Sequence, residues 1–461
     1  MKKHVIRAAV LLAALAAVFL ACGLWYARGA APLTTGDIRM RFQEGQDFIH
    51  AAGQIDEDGM LEIGQTFYLT NRTGVALGEI VLRLYANGSC VAVPESASIN
   101  GEECDALLDE EDATLLRIAR PWAEGEEIEL TLSLSIAADP SAQIAVIPLP
   151  VLAQIQDGQW RTEPWDALAG TIGAPAMDGY LDILCPEELS VVFSGEAGHL
   201  GAPPGSQKGV RSIMAHTESA RGMILAVSGN ACVRWRAIGG VAVSAMAENV
   251  LQANRLLDCA QAALESLDAI GLDYPFPSLS IVGAQPVSAD GDVYSALIVP
   301  GTQGGRESLV RRMTRLIARQ TFGVSAGYDP WNEPWLSHTL ASAAELLAYR
   351  QRRGETAYET RFFEEVEVAT RLTRPYGVTV GAGIDRFGSD AEMTQVLRDQ
   401  GGAMMMGIGE AIGHYDVLAH ALYVYAQDAA GGMGSRQSLE AALESVSGID
   451  WTGYLNDELS Y

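Results

Sequence analysis

The hydrophobic period of this chain changes once, from two to 3.6, near residues 233–246, and that change restricts its fold more than any other feature. Before it, apolar residues alternate with polar ones between turn signals. The clearest case is Ile128-Glu129-Leu130-Thr131-Leu132-Ser133-Leu134-Ser135-Ile136, where alternation puts every Ile and Leu on one face of a strand. Residues 62–70, 79–85, 180–184, 189–194 and 222–228 are further predicted strands, with turns at Asn71-Arg72-Thr73-Gly74 and Asn87-Gly88. After the change, helices are predicted over residues 247–270, 308–322, 335–352, 360–372, 391–410, 414–427 and 438–446, with one strand at 279–282. The expected fold is therefore α+β and multidomain, with an antiparallel β-sandwich over residues 36–240 and a mainly helical domain with a small sheet over 241–461. A chain of 461 residues suits two or three domains at about 150 residues each, and the change of period divides it into two.

The formal charge of −27 comes with lysine only at Lys2, Lys3 and Lys208. Such a surface repels a phosphate backbone, and no basic stripe with interleaved aromatics offsets it, so nucleic acid is excluded as a partner. Met1-Lys2-Lys3 and Arg7 precede an apolar run from Ala8 to about Tyr26, the pattern of an export signal. Residues 1–31 are expected to act as a cleaved signal or as a membrane anchor, because roughly 20 apolar residues span a bilayer. Phe19-Leu20-Ala21-Cys22 loosely resembles a lipoprotein acylation site, so a lipid tether stays open as well. Either way the chain is expected to be exported, on the extracytoplasmic face of the cell membrane. No C-x-x-C pair occurs, and no cysteine lies at metal spacing from a histidine; Cys90 and Cys104 are left open as a bridge or as thiols.

A set of words in the second half resembles a known family. Trp331-Asn332-Glu333-Pro334-Trp335-Leu336-Ser337-His338 is similar to the E-P-W-L-D-E segment of the aminopeptidase N family, the gluzincin zinc exopeptidases of peptidase family M1. Eighteen residues separate His338 from Arg319, the spacing at which the family places H-E-x-x-H, and that window here is Arg315-Leu316-Ile317-Ala318-Arg319. Gln320 and Phe322 follow as in the family's H-Q-W-F. Gly271-Leu272-Asp273-Tyr274-Pro275-Phe276-Pro277 resembles the G-x-Y-P element, and Gly291-Asp292-Val293-Tyr294-Ser295-Ala296-Leu297 resembles G-M-E-Y-P-G-L. Ser447-Gly448-Ile449-Asp450-Trp451 resembles the closing S-G-x-D element. The resemblance covers nearly all of the chain after residue 31 and implies a thermolysin-like second domain.

In that family two His at i and i+4 and a Glu from the next helix hold zinc, and a second Glu takes a proton from the bound water. Carried over by position, the metal-ligand residues here are Arg315, Arg319 and His338. Guanidinium has no lone pair to give, and one imidazole does not hold zinc alone. The general-base position is Leu316, and the position of the family's catalytic tyrosine aligns best with Asp399. The carboxylate that grips a substrate's amino terminus falls at Val293. The resemblance therefore implies a substrate cleft around Gly291, Asp292, Val293, Tyr294, Glu333 and Trp335, with no catalytic residue, no metal and no cofactor in it.

Two guanidiniums about 6 Å apart repel by roughly 3 kcal/mol at an effective dielectric of about 20. They are expected to attract a carboxylate, either internally from Asp292, Asp399 or Glu345, or from an anionic group on a partner. The alternative is a solvated helix face made by Arg311, Arg315 and Arg319. His414 and His420 fall on different helix faces, and Met404-Met405-Met406 point three ways, so neither set reads as a metal site. The expected function is that of an inactive peptidase homologue which binds a peptide or a surface or membrane protein. The alternatives are an active zinc metallopeptidase with an unrecognised site, and a structural module of a membrane complex.

Overall fold

The structure, a computed structural model, describes residues 46–88, 90–138, 143–164, 173–200, 209–367 and 377–460. The N-terminal signal or anchor segment lies outside these residues. No helix among the described residues is long and apolar enough to cross a membrane.

Strand alternation is realised as expected: in Glu127–Ala137 the residues Ile128, Leu130, Leu132, Leu134 and Ile136 are all buried on one face. That strand lies inside an eight-stranded sheet with the order Glu196–Leu200, Val210–Ala220, Met177–Pro186, Phe48–Ile55, Met60–Thr70, Glu127–Ala137, Val91–Ile99 and Glu102–Cys104. Pairing is antiparallel except between Phe48–Ile55 and Met177–Pro186, which run parallel. A four-stranded sheet (Val151–Leu152, Ile80–Arg83, Leu115–Ile118, Ala106–Leu108) and a three-stranded sheet (Ser190–Phe193, Ile224–Ser228, Ala145–Pro148) close over the inner face. Leu61, Leu130, Ile80, Leu116, Phe193 and Leu225 share one core, so the first half is a β-sandwich. Cys104 carries a free thiol, so no bridge to Cys90 forms.

The second half begins with a five-stranded sheet in the order Cys232–Ile238, Val241–Ala247, Ser278–Val282, Leu297–Val299, Asp292–Tyr294. The hairpin of its first two strands brings residues from before position 241 into this sheet. Helices follow the strands: α1 (Val250–Asp268), α2 (Arg306–Arg319), α3 (Trp335–Arg353), α4 (Glu355–Arg361), α5 (Asp390–Met393), α6 (Gly401–Ile412), α7 (Tyr415–Asp428), α8 (Arg436–Ser447) and α9 (Thr452–Ser460). Helix α1 starts at Val250 rather than at 247, because Asn249 caps it by accepting the Gln252 N–H while Ala247 ends a strand. The helix expected over 308–322 widens after Arg319 into a π-helical turn, Gln320–Ser325. The helix expected over 391–410 contains a second such turn, Thr394–Gln400, between α5 and α6. The one expected over 360–372 is α4 followed by the π turn Phe362–Glu367, and residues 368–376 fall outside the description. Helix α3 is buried on every side from Trp335 to Ala348 and forms the axis of the domain.

Arg221 ties the two halves together. Its Nε donates to the Val324 carbonyl at 2.6 Å, Nη1 donates to the Ala174 carbonyl at 2.7 Å, and Nη2 donates to the Gly432 carbonyl. Gly327 is required there, since a Cβ on it would sit 2.2 Å from the guanidinium. Nearby, Arg83 and Arg161 of the sandwich lie over the ring of Trp331, 5.8 and 5.4 Å from its centre.

Candidate functional site

Helix α2 presents Arg311, Arg315 and Arg319 at four-residue spacing. A solvated face is not what results: Arg315 is 7% exposed and Arg319 1%. Buried guanidiniums need anions or carbonyls nearby, because an unpaired buried charge is costly. Arg315 finds Asp290, with Nη2 at 2.6 Å from Oδ1 and Nε at 3.3 Å from Oδ2. Its Nη1 also lies 3.7 Å from Glu345 on α3.

Those two carboxylates are shared. Glu345 receives a two-point bond from Arg361 at 2.8 and 2.6 Å and stands 3.7 Å from Arg311, which itself pairs with Glu365. Arg398 approaches Asp290 at 3.6 Å and bonds Asp399 at 2.7 and 3.0 Å. Burial by itself would raise the Asp290 carboxyl, but Arg315, Arg398 and Arg319 together hold it well below the usual carboxylate range. The internal anion is thus Asp290 together with Glu345. Asp292 is not part of it, because its oxygens accept the Val287 and Ser288 N–H groups of its own loop at 2.9 Å each. Burial raises the Asp292 carboxyl. Among the described residues Asp399 joins the network through Arg398.

The remaining positions fall around this network. His338 on α3 is 5% exposed; burial, with Arg319 beside it, lowers its pKa well below the ordinary histidine value. Leu316 is fully buried, and a Cβ at Gly291 would lie 2.7 Å from its Cδ1, so only glycine lets the strand pass. Gly291 meets that demand with φ +108°. Arg319 Nε lies 3.5 Å from Ser337 Oγ. Val293 and Trp335 belong to the apolar core of the domain, and Tyr294 packs against a smaller apolar cluster. Glu333 is half-buried, its carboxyl raised by burial, and accepts the Arg436 N–H at 3.3 Å.

A cavity of ≈ 200 Å³ opens beside Arg315, walled by the charged network together with Ser308 and Ser342. Arg315 and Asp399 line it, whereas Arg319, His338, Gly291, Asp292, Val293, Tyr294, Glu333 and Trp335 do not. Val293 and Trp335 are packed into the apolar core, and the cavity lies instead along the first half of α2. Sequence reasoning missed Asp290, Arg312, Arg361 and Arg398. The available signal was electrostatic: a buried pair of arginines requires more anionic charge than one carboxylate supplies.

Zinc does not fit the residues at the aligned positions. Two of the three are guanidiniums, and among the described residues no three His, Cys, Asp or Glu side chains are grouped so that they could hold a metal ion.

No protein-family model matches the chain, and no curated protein sequence matches it either. Solved structures do. A crystal structure of an M1 zinc metallopeptidase from Deinococcus radiodurans superposes with a TM-score of 0.63 at 14% identity, covering 90% of this chain and 93% of that chain. A mutant of the same bacterium's enzyme bound to a Tyr-Ser-Ala substrate gives 0.63 at 16% identity, with the same coverage. A two-domain M1 zinc metallopeptidase mutant bound to L-arginine gives 0.62 at 15% identity, covering 90% and 93%. A β-rich first half, a helical second half and near-complete mutual coverage together give this chain the two-domain fold of the M1 zinc metallopeptidases.

Proposed function

We propose that this chain is a non-hydrolytic homologue of zinc aminopeptidases, exported and held at the membrane, which binds a peptide or protein partner. The observation that carries the reading is the two-point ion pair between Arg315 and Asp290. At the position of the first zinc-binding histidine stands a permanent cation already neutralised by the chain's own carboxylate. Arg319 and Leu316 occupy the second histidine and general-base positions, so neither a metal nor a proton acceptor is supplied by that window. The fold neighbours support a peptide as the first ligand class to try, since one was crystallised with Tyr-Ser-Ala. The basic start and apolar run of residues 1–26 support export and tethering.

Metal analysis of the purified chain together with turnover of amino-acid arylamides and Tyr-Ser-Ala tests this reading. Neither stoichiometric zinc nor turnover is expected, and one zinc per chain with hydrolysis would overturn it. Cell fractionation tests the tether: the chain is expected in the membrane pellet, and a variant lacking residues 1–31 is expected to be absent from it. The mutual neutralisation of the arginine network favours one second reading, a structural module; it predicts that no peptide binds and that Arg315→Ala only destabilises.

A further inference from the structure

The cavity beside Arg315 has a wall whose charges do not cancel. Five guanidiniums, from Arg311, Arg312, Arg315, Arg361 and Arg398, face four carboxylates, from Asp290, Glu345, Glu365 and Asp399. Four of the arginines hold ion pairs with those carboxylates. Arg312 is the exception: its hydrogen bond goes to the Pro300 carbonyl at 2.8 Å, and it pairs with no carboxylate among the described residues. Burial lowers its pKa, opposed by Asp290 and reinforced by Arg315 and Arg398. The wall also carries a hydroxyl without a partner. Ser342 is 4% exposed and makes no hydrogen bond among the described residues, although it lines the cavity. Gly402 leaves it room, since a Cβ there would come within 2.7 Å of that oxygen. Ser308, which is exposed, stands on the same wall.

From these observations we infer that the cavity is a binding site for one oxyanionic group, a carboxylate or a phosphate, held by Arg312 and Ser342. A guanidinium with free N–H groups binds an oxyanion at two points, and a buried hydroxyl adds a donor. At ≈ 200 Å³ the space is ample, since a water takes about 10–15 Å³ on the same measure. A neutral ligand would leave the excess charge of Arg312 in place. The chain's charge of −27 opposes an anion only at a distance, and salt screens that beyond about 8 Å. Neither Arg312 nor Ser342 stands at an aligned metal-ligand position, so the site goes beyond the loss of hydrolysis and does not depend on it.

Isothermal titration of the detergent-solubilised full chain tests the site, with inorganic phosphate, tri-glutamate and tri-glutamine as separate probes. Phosphate or tri-glutamate is expected to bind and tri-glutamine is not. Arg312→Gln is expected to weaken that binding by about tenfold or more, with Arg312→Lys keeping part of it, and Ser342→Ala to weaken it severalfold. Binding of phosphate assigns the site to a free oxyanion, and binding of tri-glutamate alone assigns it to an acidic peptide. Binding of neither, or binding that both Arg312→Gln and Ser342→Ala leave unchanged, overturns the inference. Should Arg312→Gln fail to fold, Ser342→Ala decides the question. Zinc content and turnover of the same sample report separately on hydrolysis.

Discussion

Arg315 grips Asp290 at two points, 2.6 and 3.3 Å, and so fastens helix α2 to the loop that leads into the strand Asp292–Tyr294. Removing one partner strands the other in a buried site, at a cost of about 3–5 kcal/mol when no other ion stands by. Arg398 and Glu345 stand by here, so Arg315→Met and Asp290→Asn are each expected to lower stability by about 2–3 kcal/mol in urea unfolding. The double variant is expected to lose at least about 1 kcal/mol less than the sum of the two, because the pair is coupled.

The imidazole of His338 gives a pH dependence of known sign. Burial, with Arg319 adding to it, lowers its folded pKa, so the unfolded chain takes up the proton first as pH falls. The stability it contributes is whole above the unfolded value of about 6.5 and declines below it, by at most about 1.4 kcal/mol per pH unit. His338→Gln is expected to flatten the difference between urea midpoints at pH 7.5 and 5.5. His50, also lowered by burial, leaves a residual slope in the same direction.

Ala296 adopts φ 52° while almost wholly buried, at the place where the G-M-E-Y-P-G-L segment it resembles has glycine. A left-handed alanine costs roughly 1–2 kcal/mol, part of which its buried methyl offsets. Ala296→Gly is expected to gain about 0.5–1 kcal/mol in thermal unfolding. Ala296→Val is expected to lose more than about 2 kcal/mol, since a β-branched side chain adds strain at the same φ.

Arg221 stays charged at neutral pH although burial pushes its pKa down to about 10. Three carbonyls from three segments depend on it, and hydrogen bonds to a charged group are worth about 1.5–3 kcal/mol each. Arg221→Met is expected to cost at least about 3 kcal/mol. Arg221→Lys is expected to recover little of it, because an ammonium does not reproduce the planar fork. A calorimetric scan checks both, and the loosened joint should split a single transition into two.

Much of the fold was legible because periodicity reports which side of an element is buried. Ile128 to Ile136 show this for strands, and the four-residue steps from Arg311 to Arg319 show it for helices. The strand Val241–Ala247 was not legible: its small residues run directly into a helix, and the alternation is too short to separate the two. The π turns after Arg319 and Met393 were hidden as well, since one extra residue per turn leaves an apolar pattern almost unchanged. In the candidate site, helical spacing put Arg315 and Arg319 on one buried face, with Arg319 beside His338. It did not identify Asp290 as their anion, because choosing between Asp290 and Asp292 depends on which carboxylate folds back on its own loop.

The close approach of Gly291 to Leu316 limits what position 316 can hold. A glutamate at 316 would put an ionised group at a fully buried position in the apolar core, beside a backbone that has no room even for a Cβ at Gly291. A carboxylate is therefore accommodated at 316 only once its neighbours make room, so the packing ties the identity of one position to that of the other.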